Sequence, residues 1–389
     1  MKLAYIAQST IPSRSADSIH VMKMCQAFHS NGHDVHLLLP NKYCDREIEV
    51  KNSFDYYNVE PCFTISYFPW LSIKGRAYFY GWSVARRAKN LKPDLVYGRD
   101  IIGCYFASTN RLPVIFESHT PIAQSGKIAT WLFNHLIKQP TFQYLVVITQ
   151  SLKQWYLDHY NVLQGKIVVA ADGADLPEGA LEDYLSPLPN QKQSRFRVAY
   201  IGHLYPGKGM EVISKLVMLC PDIEFHIVGD PEKEVAYWSH YLRKHQNIIF
   251  HGYRPHSAIH NIMKQMDVLI SPNLRRIELP GKNAHDIGRW TSPLKIFEYM
   301  AARKPIVASD VEVLREVLEN ERNALLCNPD DLEAWKIALY RLKSSSSLSR
   351  KLSQNAYKDL SSKYTWKVRG RRVLSQQNLA DVCLSSSTH

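Results

Sequence analysis

A lysine, a glutamate and a histidine carry most of the chemistry that this sequence can be read to perform. Lys208 lies in the run Gly202-His203-Leu204-Tyr205-Pro206-Gly207-Lys208-Gly209. Glycines there let the backbone close on an anion, and the lysine adds a point charge. The spacing G-x-x-x-x-G-K opens a P-loop, whose next residue gives a hydroxyl to magnesium; here that residue is Gly209. The missing hydroxyl at that place argues against a kinase or ATPase. Glu298 stands in S-P-L-K-I-F-E-Y-M-A-A at 292–302. Ser292 suits an N-cap and Pro293 the first helical position, so the helix N-terminus offers free amides to an anion. A carboxylate just past the first turn is placed to take two ribose hydroxyls; the same spacing also fits an ordinary solvated helix residue. His119 follows the apolar run P-V-I-F-E, and Arg99 and Glu117 also fall at the carboxyl ends of strands, where ligands bind in open α/β sheets. On its own, such a histidine fits a structural role more readily than a catalytic one.

These groups need a scaffold of strands and helices in alternation. Apolar runs at 3–7, 35–39, 94–98, 113–117, 145–149 and 167–170 predict one set of buried parallel strands. Helices are expected over 18–30, closed by Asn31-Gly32, and over 151–159. Runs at 197–201, 224–229, 247–252, 267–271 and 306–308 predict a second set, with helices over 294–302, 310–318 and 331–345. Lys304-Pro305 stops the first of these, because proline pushes its predecessor out of helical geometry. The segment 177–194, rich in Pro, Gln and Ser, reads as a linker. The loop at 272–291 is long enough to expect a function of it.

With 389 residues the chain exceeds one comfortable core, and two α/β domains are expected. No window approaches the length of a membrane span, and the N-terminus reads as a buried strand rather than a leader. Seven cysteines, odd in number and never spaced C-x-x-C, argue against a disulfide framework or a zinc knuckle and favour a reduced, cytoplasmic setting. The net charge of +12 suits an anionic partner. No nucleic-acid-binding signature accompanies it, so no nucleic-acid partner is expected. Between Pro61 and Pro93 there is no acidic residue, and aromatics such as Phe79 and Trp82 mix with Lys74, Arg76, Arg86 and Arg87. Three readings stay open there: a helix with a buried aromatic face and a solvated basic one, a contact with an anionic membrane surface, or an acceptor-phosphate site.

The stretch S-P-L-K-I-F-E-Y-M-A-A-R-K-P-I-V-A-S-D at 292–310 resembles the donor-binding helix of the retaining glycosyltransferases of family 4. Three further features match that family in order: the cluster around His119, the turn Asp172-Gly173-Ala174-Asp175, and the loop from Gly202 to Gly209. The resemblance implies the GT-B fold, with two Rossmann-like domains facing across a cleft and a C-terminal helix crossing back to the first. It implies boundaries at 1–180 for the acceptor-side domain, 181–196 for the linker, 197–362 for the nucleotide-sugar domain and 363–389 for the crossover helix and tail. It places Gly202, His203, Gly207, Lys208, Gly209, Ser292, Pro293, Leu294, Lys295 and Glu298 on the donor, with the backbone of Tyr253 and Arg254 against the base. His119 is implied to face the sugar as a neutral imidazole, and Ser15, Ala16, Arg99 and Glu117 to line the acceptor side. The sequence departs from the family in three places. Ser15-Ala16 replaces a Gly-Gly pair, His203 replaces an arginine, and Trp290 replaces a second glutamate, for which Asp286 is the nearest substitute.

The expectation is therefore a retaining hexosyltransferase that moves a sugar from a nucleotide-diphosphate donor to an acceptor hydroxyl. The acceptor is expected to be a glycan, a glycolipid or a lipid-linked intermediate. His119, Lys208 and Glu298 are its catalytic candidates. It would need no cofactor and no metal, since the D-x-D carboxylate pair is missing. Its setting is cytoplasmic, with the inner face of the membrane as a candidate surface. A nucleotide-sugar 2-epimerase on the same fold, or a non-catalytic nucleotide-binding subunit, remains the alternative.

Overall fold

A computed structural model describes residues 1–44, 46–177, 195–277, 286 and 288–375, with backbone only at 256 and 257. The expected linker, save its last two residues, and positions 278–285 of the long loop lie outside the described residues. The chain divides into two units, Met1–Asp172 with the terminal helix from Trp366, and Gly173–Thr365.

The first unit is a seven-stranded parallel sheet. Its strands are β1 (Lys2–Ile6), β2 (Asp34–Asn41), β3 (Thr64–Pro69), β4 (Leu95–Gly98), β5 (Val114–Ser118), β6 (Phe142–Val147) and β7 (Ile167–Val169), in the order β3-β2-β1-β4-β5-β6-β7. Leu3, Tyr5, Leu38, Val96, Ile115 and Val146 are fully buried because helices cover both faces of a parallel sheet. β3 was not expected from the sequence: as an edge strand it holds only exposed and half-buried residues and lacks a continuous apolar run. The first helix runs from Ala16 to Ser30, with Ser15 as its N-cap accepting from the Asp17 amide. Strand order reverses between β1 and β4, so the loops after these two strands diverge and leave a crevice at their carboxyl ends.

On the helix Arg76–Leu91 the reading of a buried aromatic face holds for Tyr80 alone among its aromatic residues. The helix buries Tyr80, Val84, Ala85 and Ala88 but leaves Tyr78, Phe79 and Trp82 between 37% and 46% exposed. The helix Trp366–Leu374 belongs to the first unit and packs on the helix Ala16–Ser30. Gly370 makes the approach close: a Cβ there would stand 3.2 Å from that of Ala27. The Asn31 amide closes the contact by donating to the Lys367 carbonyl at 2.9 Å.

The second unit is a six-stranded parallel sheet in the order β10-β9-β8-β11-β12-β13. Its strands are β8 (Phe196–Ile201), β9 (Ile223–Val228), β10 (Ile248–Gly252), β11 (Val268–Ser271), β12 (Ile306–Ser309) and β13 (Leu325–Cys327). Val198, Ile213, Phe225, Ile270, Val307 and Trp335 form its core. Here the order reverses between β8 and β11, so the loop starting at Gly202 borders the switch point. The helix expected over 310–318 is confined to Glu312–Arg315, because the chain turns after it to pair Asn320 with Ala324. Among the described residues no helix is long and apolar enough to cross a membrane.

Candidate functional site

In the second unit the loop after β8 is shaped by backbone crowding. Gly207 and Gly209 have φ of +83° and +118°, and added Cβ atoms would meet Arg276 O at 2.2 Å and Pro272 O at 2.6 Å. Only glycine satisfies both the positive φ and the close approach. The Gly207 amide donates to Glu211 Oε1 at 2.8 Å, and Gly209 is the N-cap of the helix Met210–Leu219, without a side-chain cap. Lys208 follows from this turn, and burial pushes its ammonium down to a pKa of about 8.

The helix Leu294–Ala301 supplies the second lysine. Its N-cap is Pro293 rather than the expected Ser292, and no side chain caps it. Pro293 has extended backbone angles, so the helical geometry begins one residue later than the Ser-Pro signature suggested. Lys295 Nζ lies 4.1 Å from the centre of the Tyr200 ring. It is buried and has no hydrogen-bond partner among the described residues. A Cβ on Gly202 would stand 3.6 Å from it. Burial, and then the neighbouring charge of Lys208, hold the Lys295 amine well below its ordinary pKa, with Glu298 acting the other way. The structure thus brings Gly202, Lys208, Lys295 and Glu298 together.

The remaining donor-side candidates are placed differently. His203 turns its Nδ1 to Asp230 Oδ1 at 2.5 Å and stacks on Tyr205, so its ring is already engaged. Tyr253 and Arg254 follow β10, two strands away from β8. Asp286 accepts the amides of Ile277 and Gly288 at 3.0 and 2.9 Å, which makes it a loop-shaping carboxylate. Trp290 is buried, with Arg289 over its ring.

In the first unit His119 and Glu117 sit in a buried charge network. Glu117 Oε1 accepts from His119 Nε2 at 2.6 Å and from Arg369 at 2.6 Å, and His20 Nε2 lies 3.1 Å away. Glu117 Oε2 accepts from the Tyr97 hydroxyl. Burial by itself would raise the Glu117 pKa; Arg369 and then His20 hold it well below the usual carboxylate range. His20 Nδ1 reaches Asp172 Oδ1 at 2.8 Å, and its ring meets that of His119 edge-on. Burial and the charge of Arg99 drive the His119 pKa down to about 4, so its imidazole is neutral at neutral pH. Arg99 pairs with Asp17 at 2.7 Å. Ser15 caps the first helix and Ala16 opens it, which gives this pair a local structural task.

His20, Glu117 and His119 also bring three ligand atoms within 4.8 Å of one another. Arg369 already supplies a positive charge at the same Glu117 oxygen, which disfavours a cation there. Sequence reasoning missed His20, Asp172 as a partner, and Arg369. His20 looked like one more residue of a helix, and Arg369 like one residue of the expected crossover helix. The one available signal was Asp172 in the D-G-A-D turn.

Two family models match the chain: Glycosyltransferase Family 4 over residues 18–178, and Glycosyl transferases group 1 over 195–345. A Methanocaldococcus jannaschii protein named as an uncharacterised glycosyltransferase is 23% identical over 382 residues, covering 90% of each chain. Among solved structures, HepE of Anabaena in complex with UDP and glucose superposes with a TM-score of 0.72 at 17% identity, over 97% of this chain and 99% of that one. Sucrose-phosphate synthase of Thermosynechococcus elongatus gives 0.70 at 14% identity, over 99% of each chain. These likenesses agree with the two parallel sheets.

Proposed function

Because the chain belongs to glycosyltransferase family 4, we propose that it transfers a hexose from a nucleotide-diphosphate donor to a hydroxyl of a glycan, glycolipid or lipid-linked acceptor, with retention and without a metal. One observation carries this reading: a buried Lys295 amine, without a hydrogen-bond partner among the described residues, beside the glycine loop of Lys208. Two desolvated amines in mutual repulsion have much to gain from a diphosphate, which would raise both pKa values and draw both into the charged form. In transfer the bond from the anomeric carbon to the diphosphate oxygen breaks. Lys208, Lys295 and the N-terminus of the helix Leu294–Ala301 stabilise the negative charge that develops on the leaving group. The leaving oxygen takes the acceptor's proton on the same face of the sugar. Glu298 holds the ribose hydroxyls, and His119 hydrogen-bonds the transferred sugar.

The test is a panel of UDP-, GDP- and ADP-sugars with neutral and phosphorylated acceptors, read by release of nucleoside diphosphate and by the anomeric configuration of the product. Transfer that persists in EDTA with the donor's anomeric configuration kept supports the reading. Epimerised donor, or binding without turnover, replaces it by one of the alternatives.

The acceptor is proposed to be presented at an anionic membrane surface. Exposed Tyr78, Phe79 and Trp82 share a helix with Arg76, Arg86, Arg87 and Lys89, a combination suited to a headgroup boundary. Sedimentation with vesicles should show binding to phosphatidylglycerol but not to phosphatidylcholine, and loss of it in Phe79→Ser/Trp82→Ser. Equal partition onto both vesicles would refute it.

A further inference from the structure

We propose that Glu117, clamped by Arg369 from the C-terminal helix, is the positioning residue that holds His119 in one tautomer, with the proton on Nε2 and the lone pair on Nδ1. Several donors converge on this one carboxylate. An ionised carboxylate only accepts, so the imidazole nitrogen 2.6 Å from Glu117 Oε1 must carry the proton. A neutral imidazole has a single proton, and Nδ1 is therefore its acceptor. Among the described residues no hydrogen bond reaches that nitrogen.

Glu117 can do this only while it stays ionised and fixed. Arg369 donates to Oε1 at 2.6 Å and is anchored by the carbonyls of Ala171 and Ala170 at 3.0 and 3.1 Å. The Tyr97 hydroxyl holds the other carboxylate oxygen. All three side chains are buried, so water offers no competing partners. The groups that face His119 electrostatically are Glu117 from β5, His20 and Asp17 from the helix Ala16–Ser30, Arg99 after β4, and Asp172 after β7. Arg369 acts through Glu117. Its helix lies at the end of the chain, so the tautomer depends on residues 252 positions apart. The proposal adds to the sugar-contacting role given to His119 above: it names the atom that makes the contact and the residues that set it.

The test joins a substrate-free readout with kinetics. Long-range ¹H–¹⁵N spectra of histidine-labelled protein, assigned with His119→Gln, should show one His119 tautomer with unprotonated Nδ1 between pH 6 and 8. Glu117→Leu/Arg369→Met removes both charges together, which avoids leaving either one buried and unpaired. If Glu117 pins the ring, this variant shows mixed tautomers, and kcat falls about 10- to 100-fold while the donor KM stays within about twofold. Glu117→Asp, which keeps the carboxylate, should retain the tautomer and most of kcat. An unchanged tautomer in the double variant overturns the proposal, as does a mixed tautomer with unchanged kcat. If the wild type transfers no sugar at all, the catalytic reading fails, and the spectra alone decide whether Glu117 sets the ring. Should the double variant not fold, Arg369→Lys read by the same spectra takes its place: a lysine lacks the planar guanidinium that reaches Glu117 from one nitrogen and the Ala171 carbonyl from another, so an unperturbed His119 signal there counts against the clamp.

Discussion

Replacing Lys208 by methionine should make the nucleotide-free protein more stable and the nucleotide complex weaker. The gap between the ordinary lysine value of 10.5 and about 8 corresponds to roughly 3 kcal/mol of penalty for keeping the ammonium in place. The side chain is partly exposed, so that figure is a ceiling. The folded pKa lies below the unfolded one, so the unfolded chain holds more protons between about pH 8 and 10.5, and stability rises with pH across that window. The penalty is full below about pH 8 and gone above 10.5. Urea denaturation at pH 6.5 should therefore show Lys208→Met more stable by about 1–3 kcal/mol, a gain that shrinks steadily toward pH 10. Isothermal titration with the donor's nucleoside diphosphate should show the reverse. Loss of a charged hydrogen bond of about 1.5–3 kcal/mol weakens Kd by roughly 10- to 150-fold. Wild-type binding at pH 8.5 should also take up protons, seen as a dependence of the heat on buffer ionisation. A variant that is less stable at pH 6.5, or one that binds nucleotide as tightly as the wild type, would refute the reasoning.

Glu298→Ala should weaken donor binding about tenfold or more while leaving the melting transition near the wild-type value, as measured by titration and calorimetry. With His119 at a pKa of about 4, kcat against pH should show no limb near 6.5 from this group; a limb near 6.5 that disappears in His119→Gln would contradict it. Gly209→Ala forces a side chain into φ +118° and against Pro272 O. It should cost about 1–3 kcal/mol in denaturant unfolding and reduce nucleotide affinity with it.

The local features were legible in the residues because they are set by near neighbours. The buried runs of β1, β5, β8 and β12, the Asn31-Gly32 helix end and the glycine loop around Lys208 all follow from side-chain pattern within a few positions. β3 was hidden because an edge strand has no continuous apolar run to announce it. Ser292 misled by one residue, since a Ser-Pro pair is compatible with a helix starting at either place. The outward face of Phe79 and Trp82 could not be read from composition, because the same residues suit a buried helix face.

By itself, the sequence determined two α/β units, a glycine-framed lysine and a helix N-terminus carrying a glutamate: properties of contiguous segments. The tertiary structure alone decided that Lys295 lies beside Lys208 with no hydrogen-bond partner among the described residues, that His203 turns to Asp230, and that Arg369 reaches Glu117. The reason is that an ion pair or a desolvated amine depends on which distant segments exclude water around it. Such pairs span 252 residues for Arg369 and 152 for His20 with Asp172, and no local pattern records a partner so far along the chain.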